Sequence, residues 1–282
     1  MGEYTNKTMM CHDMIDGVGP WLRRTYDQGS WEWPKKDWEE AIRDGIKKYV
    51  PNRGVVVQAG GNMGMYPRLL AEMFDKVYTF EPDPLNFHCL SNNCDLPNIY
   101  KMQAALGAYN KLIDVRPIQE NNSGVIFVEQ GSKIPMVTID SLELESCDLI
   151  QLDVEQYEPY AIMGAVKTIE KFHPVITLEG PEVTRNVALH ILNFLGYEAV
   201  DRLANDTVFV WTNYKPEPLH YLSPTKSEER NIKNILLAIP TQKYIEPDTF
   251  KAIYDLEVPE GYKVHFQFFY GYAVDQVRNL IA

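Results

Sequence analysis

Several familiar devices are missing from this chain. Its four cysteines, Cys11, Cys89, Cys94 and Cys147, include no CxxC pair, which argues against a zinc knuckle or a disulfide framework and leaves buried free thiols as the expected state. No run of about 18 apolar residues occurs, so no membrane span is expected, and the start MGEYTNKTMMCHDMIDG lacks the basic-then-apolar layout of a secretion signal. Basic residues are in deficit: Lys+Arg 27 against Asp+Glu 39 gives a formal charge of −12, which argues against a dedicated phosphate-backbone binder and so against a nucleic-acid partner, a local basic patch apart. These absences predict a soluble, cytoplasmic protein. What is present is 282 residues, 45% hydrophobic and 23% charged, enough to bury the core of one large domain or two small ones. Disorder, collagen and coiled coil do not fit that balance.

The pattern changes along the chain. Residues 1–53 read as a lead-in rich in aromatics (Trp21, Tyr26, Trp31, Trp33, Trp38). It resolves into a helix after Pro34, where Asp37 and Glu40 suggest a capping box and Trp38, Ile42, Ile46 and Tyr49 fall at helical spacing. The tryptophans either pack that helix on the next domain or cap an acceptor pocket. From Gly54, short apolar runs alternate with amphipathic helices, as in a sheet covered on both faces. The strand runs are Val55–Gln58, Val77–Phe80, Ile99–Gln103, Leu149–Asp153 and Val175–Glu179; helices are expected over Pro67–Phe74, Pro84–Asn93, Pro159–Phe172 and Glu182–Leu195. Leu112–Val115 and Gly124–Val128 look like extended insertion material.

Two further runs, Tyr197–Leu203 and Val208–Thr212, are separated only by Ala204–Thr207. So short a connection cannot make a parallel crossover, and the runs must pair as an antiparallel hairpin. A parallel sheet ending in such a hairpin is the layout of seven-stranded S-adenosylmethionine-dependent methyltransferases. The fold class expected is therefore α/β over residues 54–214, with a Rossmann-like sheet. A proline-rich, charged linker follows at 215–231, then a βαβα piece at 232–282 too small to hold its own core, which should dock on the main domain or on another chain.

Candidate site residues lie at the carboxyl ends of the predicted strands, the edge where open α/β sheets bind ligands. Val55 to Gly64 leave a strand and enter a helix through a glycine-rich turn, Gln58-Ala59-Gly60-Gly61-Asn62-Met63-Gly64, but no register gives GxGxxG. Glu81 closes the second strand 21 positions after Gly60, where a carboxylate can accept both hydroxyls of a ribose. Ala104 and Ala105 leave room for an adenine, although tight packing explains them equally. Asp153, Glu155 and Glu158 cluster after the fourth strand. The first two are two residues apart and, in extended conformation, would project to one side as acceptor-orienting and proton-accepting groups. Glu158 reads as a helix cap, and Glu179 offers a third acid from the fifth strand. A solvated acidic turn is the plain alternative. His88, His173 and His190 read as structural or exposed, and neither a nucleophile elbow nor an HxxxH or DxD metal pair is present.

The segments VVVQAGGNMG, YTFEPDPLNFHCLSNN, IYKMQAALG, PMVTIDSL and DLIQLDVEQYEPYAIMGAVKTIEKFHPVITLE resemble, in order, the FkbM-type methyltransferases. The resemblance implies a class I fold, S-adenosylmethionine as methyl donor and O-methylation of a sugar or natural-product hydroxyl. Its glycine-loop positions correspond to Gly60, Asn62 and Gly64, its ribose acid to Glu81 and its post-strand acids to Asp153, Glu155 and Glu158. Three positions depart from the family pattern: Gln58 replaces an acid, Gln151 a lysine and Gln156 a glycine. These departures favour the rival reading, a catalytically degenerate module that binds glycan-modifying partners. Ile235 to Asn279 resembles the opening of a family 2-like glycosyltransferase, without its DxD.

Overall fold

The computed structural model describes residues 10–15, 19–25, 36–119, 122–179, 188–189, 191–193 and 195–213. The linker and the glycosyltransferase-like segment expected beyond residue 214 lie outside them, as do Trp31, Trp33 and His190.

The expected glycine turn, helices and strands assemble around one mixed sheet. Its strands are β3 (Val55–Ala59), β4 (Lys76–Phe80), β5 (Ile99–Met102), β10 (Leu149–Leu152), β11 (Val175–Leu178), β12 (Tyr197–Leu203) and β13 (Asp206–Trp211). They lie in the order β12-β13-β11-β10-β3-β4-β5. Five are parallel, while β13 runs antiparallel to both β11 and β12, so the sheet ends in the hairpin that the short connection required. The sheet is the seven-stranded α/β layout expected.

Side-chain alternation along the central strands builds two cores. Val55, Val57 and Ala59 of β3 face one side with Ile150 and Leu152 of β10, Ile176 and Leu178 of β11, and Ala161, Ile162, Ala165 and Ile169. Val56, Val77 and Leu149 face the other, against Ile42 and Ile46 of α1 (Lys36–Tyr49) and Leu69 and Leu70 of α2 (Met65–Ala71). Fully burying each such aliphatic side chain is worth about 1.5–3 kcal/mol, so the strand core, covered on both faces, holds the edge of the sheet rigid. Trp38 stacks edge-on against Tyr66 at 4.8 Å, the packing role rather than the cap. The expected capping box does not form as drawn, because Asp37 lies inside the first turn of α1.

Two local expectations are corrected, and the extended character expected of the insertion is borne out. The lead-in holds a hairpin of β1 (Met10–Ile15) and β2 (Gly19–Arg24), whose pairing periodicity alone did not show. It is anchored from a distance: Trp21 is buried with Met63 and Cys89, and Asn93 at the end of α3 (Pro84–Asn93) accepts the Leu22 N–H and donates to the Leu22 and Met63 carbonyls. The insertion is a second, four-stranded sheet of β6 (Ala105–Leu106), β7 (Lys111–Gln119), β8 (Asn122–Gln130) and β9 (Ile134–Val137), in the order β6-β9-β7-β8. The helix expected over Pro159–Phe172 is two, α4 (Glu158–Met163) and α5 (Val166–Phe172), broken at Gly164. Of the expected helix Glu182–Leu195, residues 182–187, 190 and 194 lie outside the description; 188–189 and 191–193 are helical and Gly196 follows at φ +88.

Cys89, Cys94 and Cys147 are buried free thiols and Cys11 is half-buried. Among the described residues no helix is long and apolar enough to cross a membrane.

Candidate nucleotide cleft

The carboxyl ends of β3, β4, β10 and β11 open into a cleft of about 820 Å³ that includes solvent-open space. Gly60, Asn62, Glu81, Ala104, Ala105, Asp153, Glu155 and Glu179 all line it. Gln58, Gly64 and Glu158 do not. Gln58 is fully buried within β3, where its side chain accepts the Thr79 hydroxyl and donates to the Ala59 carbonyl at 3.0 Å. Gly64 starts α2 at φ +105, and a Cβ there would meet the Cys94 sulfur at 2.4 Å, so its glycine serves helix packing.

Backbone crowding explains the turn. Gly60 sits at φ +82, and a Cβ there would lie 1.8 Å from the Asp153 carbonyl, so only glycine lets the loop after β3 abut the end of β10. Both Gly60 and Gly61 donate their N–H to the Phe80 carbonyl, tying the turn to the end of β4.

Glu81, 4% exposed, is held at both oxygens: Oε2 accepts the Asn62 N–H at 2.7 Å and Oε1 the Asp83 N–H at 2.8 Å. Burial pushes its pKa up to about 7 against these hydrogen bonds. Asp83 caps α3 through the N–H groups of Leu85 and Asn86, and Arg24 of β2 reaches Asp83 and Asn86 at 3.5 and 3.3 Å. The lead-in hairpin therefore braces the same corner.

At the other side, Asp153 and Glu155 reach the cleft by a different route from that expected. β10 ends at Leu152, and Glu155 (φ +51) and Gln156 (φ +73) form a left-handed turn, so strand alternation does not align the acids. Glu158 closes this turn, as its Oε1 accepts the Val154 N–H at 3.1 Å. It is 1% exposed, and burial raises its pKa to about 7. Burial, then the neighbouring Glu179, Asp206 and Glu155 charges, raise Asp153 well above the carboxylate range; burial and Glu179 raise Glu155.

Sequence reasoning missed the wall opposite. Gly124, Ile126 and Val128 alternate along β8 and line the cleft with Tyr157, Asn86 and Leu106. Their alternation was visible in Gly124–Val128, but nothing local said which sheet they would face. Among the described residues no group of three or more His, Cys, Asp or Glu is arranged to hold a metal ion.

Residues 66–203 match the sequence model of the methyltransferase FkbM domain. The match runs from α2 into β12 and takes in Glu81, Asp153, Glu155 and Glu179. Similar solved structures include the methyltransferase FkbM from Methylobacillus flagellatus KT, at 16% identity over 56% of this chain and 44% of that one, with a TM-score of 0.42. The chain thus spans less than half the length of that FkbM structure. Others are TYW2 from M. jannaschii, solved with AdoMet (16% identity, 73% of this chain and 85% of that one, TM-score 0.38), and Trm5b from Pyrococcus abyssi (14%, 74% and 56%, 0.40). No curated protein matches the chain.

Proposed function

We propose that the cleft binds S-adenosylmethionine and that the protein O-methylates a hydroxyl of a sugar, glycan or related small molecule. The observation that carries the donor reading is Glu81: a buried carboxylate at the cleft whose orientation is fixed by two backbone N–H groups, one of them from the glycine loop. A carboxylate has room for further donors at each oxygen, so Glu81 suits a pair of ribose hydroxyls. Ala104 and Ala105 leave space for the adenine, and the tight approach of Gly60 to Asp153 leaves backbone at the floor of the cleft. The bound donor supplies an electrophilic methyl on a sulfonium.

The remaining work falls to the acids. Asp153 or Glu155 accepts the proton of the acceptor hydroxyl, with Glu179 beside them; carboxylates whose pKa is raised are stronger bases for that task than ordinary ones. Ile126, Val128 and Tyr157 shield the cleft from the β8 side. The sugar or natural-product acceptor rests on the FkbM resemblance.

Calorimetry with S-adenosylhomocysteine tests the donor reading. Removing a charge-assisted pair of hydrogen bonds should cost about 10-fold or more in affinity, so Glu81→Ala should bind at least that much more weakly than the wild type. No binding at millimolar ligand, with Glu81→Ala indistinguishable from the parent protein, would overturn it.

A further inference from the structure

The strand order gives the cleft a direction. Glu81 ends β4 and Ala104 to Leu106 follow β5, on one side of the glycine turn after β3; Asp153 and Glu179 end β10 and β11 on the other. A nucleoside held by Glu81 and the small residues therefore directs the rest of the donor towards β10 and β11. Carboxylates collect there.

Asp153 and Glu179 both line the cleft here, and burial followed by the Glu179 and Asp206 charges holds Asp153 well above the carboxylate range. Because β13 runs antiparallel to β11, its first residue arrives at the carboxyl end of β11, and the terminal hairpin delivers two more groups to this corner. Asn205 donates to Glu179 Oε1 at 3.1 Å. Asp206, 2% exposed, accepts the Tyr66 hydroxyl at 2.6 Å and the Gln151 amide at 3.5 Å. Gln151 is 1% exposed, with its amide in this cluster and its Oε1 without a hydrogen-bond partner.

We infer that Glu179, flanked by Asp153 and backed by Asp206, makes the site select the cationic sulfonium donor over its neutral thioether product. The inference rests on the donor reading above. S-Adenosylmethionine and S-adenosylhomocysteine share the nucleoside, the amine and the carboxylate, and differ by one methyl and one positive charge. Half-buried carboxylates at that end of the cleft, backed by the buried Asp206, distinguish the two by charge, so the spent product is held less tightly and leaves.

The groups facing Glu179 from the surrounding described elements are Tyr66 of α2, Asp153 after β10, Glu155 in the following turn and Asp206 of β13. Burial raises Asp206 to about 7, with Glu179 adding to the rise. Acidification through that range therefore neutralises Asp206 and weakens the selection. Glu81 titrates in the same range, but it meets the ribose common to both ligands and so cancels from their ratio.

The experiment is calorimetric titration of the full chain with S-adenosylmethionine and, separately, S-adenosylhomocysteine, at pH 8 and pH 6. The wild type should favour the sulfonium by about tenfold at pH 8, and the ratio should shrink severalfold at pH 6. Glu179→Gln should weaken S-adenosylmethionine by a similar factor while leaving S-adenosylhomocysteine within about twofold; Asp206→Asn should do the same to a smaller extent. A ratio that moves with neither pH nor Glu179→Gln, while both ligands bind, would overturn the inference and leave the donor reading standing. Failure of both ligands to bind the wild type would overturn the two together. The wild-type pH comparison does not depend on either variant folding.

Discussion

Gln156 occupies φ +73 directly after Glu155 at φ +51, two consecutive side-chain-bearing residues in the left-handed region. Each such residue costs roughly 1–2 kcal/mol, and the turn persists because Glu158 cinches it through the Val154 N–H and Asp153 is tied to β3 through the Ala59 carbonyl. Gln156→Gly should relieve part of that cost. After allowing for the larger entropy that glycine carries into the unfolded chain, a stabilisation of roughly 0.5–1 kcal/mol is expected in urea titration with an unchanged slope. No gain, or a loss, would mean that the Gln156 side chain holds the turn by contacts worth more than the strain. The residue was visible in the sequence as a departure from the glycine of the FkbM pattern, but its backbone conformation was not. The same holds across the cleft. Gly60, Asn62, Glu81, Asp153, Glu155 and Glu179 could be picked out because strand ends are readable from apolar runs. Gln58 and Gly64 were grouped with them by position alone, and burial and φ turn each to a packing task.

Elements were readable where local chemistry determined them and unreadable where a distant partner did. The terminal hairpin followed from the shortness of its connection, and it carries Asn205 and Asp206 to the site edge. The β1–β2 hairpin gave no such signal, because Trp21 and the Asn93 bridge that hold it come from contacts far apart in sequence. The break between α4 and α5 has a similar origin. The apolar stripe through Ile162, Val166 and Ile169 is continuous, yet Asp140 from the 3-10 turn Ile139–Leu142 intervenes. Its N–H donates to the Gly164 carbonyl at 2.9 Å, and its carboxylate accepts the N–H groups of Lys167 and Thr168, acting as a cap supplied from another segment. Gly164 itself must be small, since a Cβ would stand 2.0 Å from the Gly107 carbonyl. Gly164→Ala raises local helix propensity but drives a methyl into backbone, so it should destabilise by roughly 1–3 kcal/mol in denaturant titration. An alanine variant as stable as the parent would show that the second sheet can move away from α4 without cost.

At the scale of the molecule, the placement of buried acids sets how the fold responds to pH. Glu81 braces the glycine turn, Glu158 closes the turn after β10, and Asp206 anchors the terminal hairpin to α2. Burial is the main cause that lifts all three to about 7. A carboxyl raised from its ordinary value of 4.5 to about 7 disfavours the folded state above neutrality by on the order of 3 kcal/mol, since the unfolded chain ionises freely where the folded one resists. The stability tied to these groups is complete below about pH 4.5 and is lost as pH rises through 7. Opposing groups act elsewhere: Asp114, held low by Lys133, and Asp201, held low by Tyr49 and Lys48, weaken the fold only once pH drops into or below the ordinary carboxylate range. Between pH 6 and pH 8 the raised carboxyls therefore set the direction. Thermal and urea midpoints of the ligand-free protein should be higher at pH 6 than at pH 8. Midpoints that are flat or rising over that interval would mean that the three acids ionise without penalty, which their burial forbids unless the cleft, the turn after β10 and the hairpin junction all admit water.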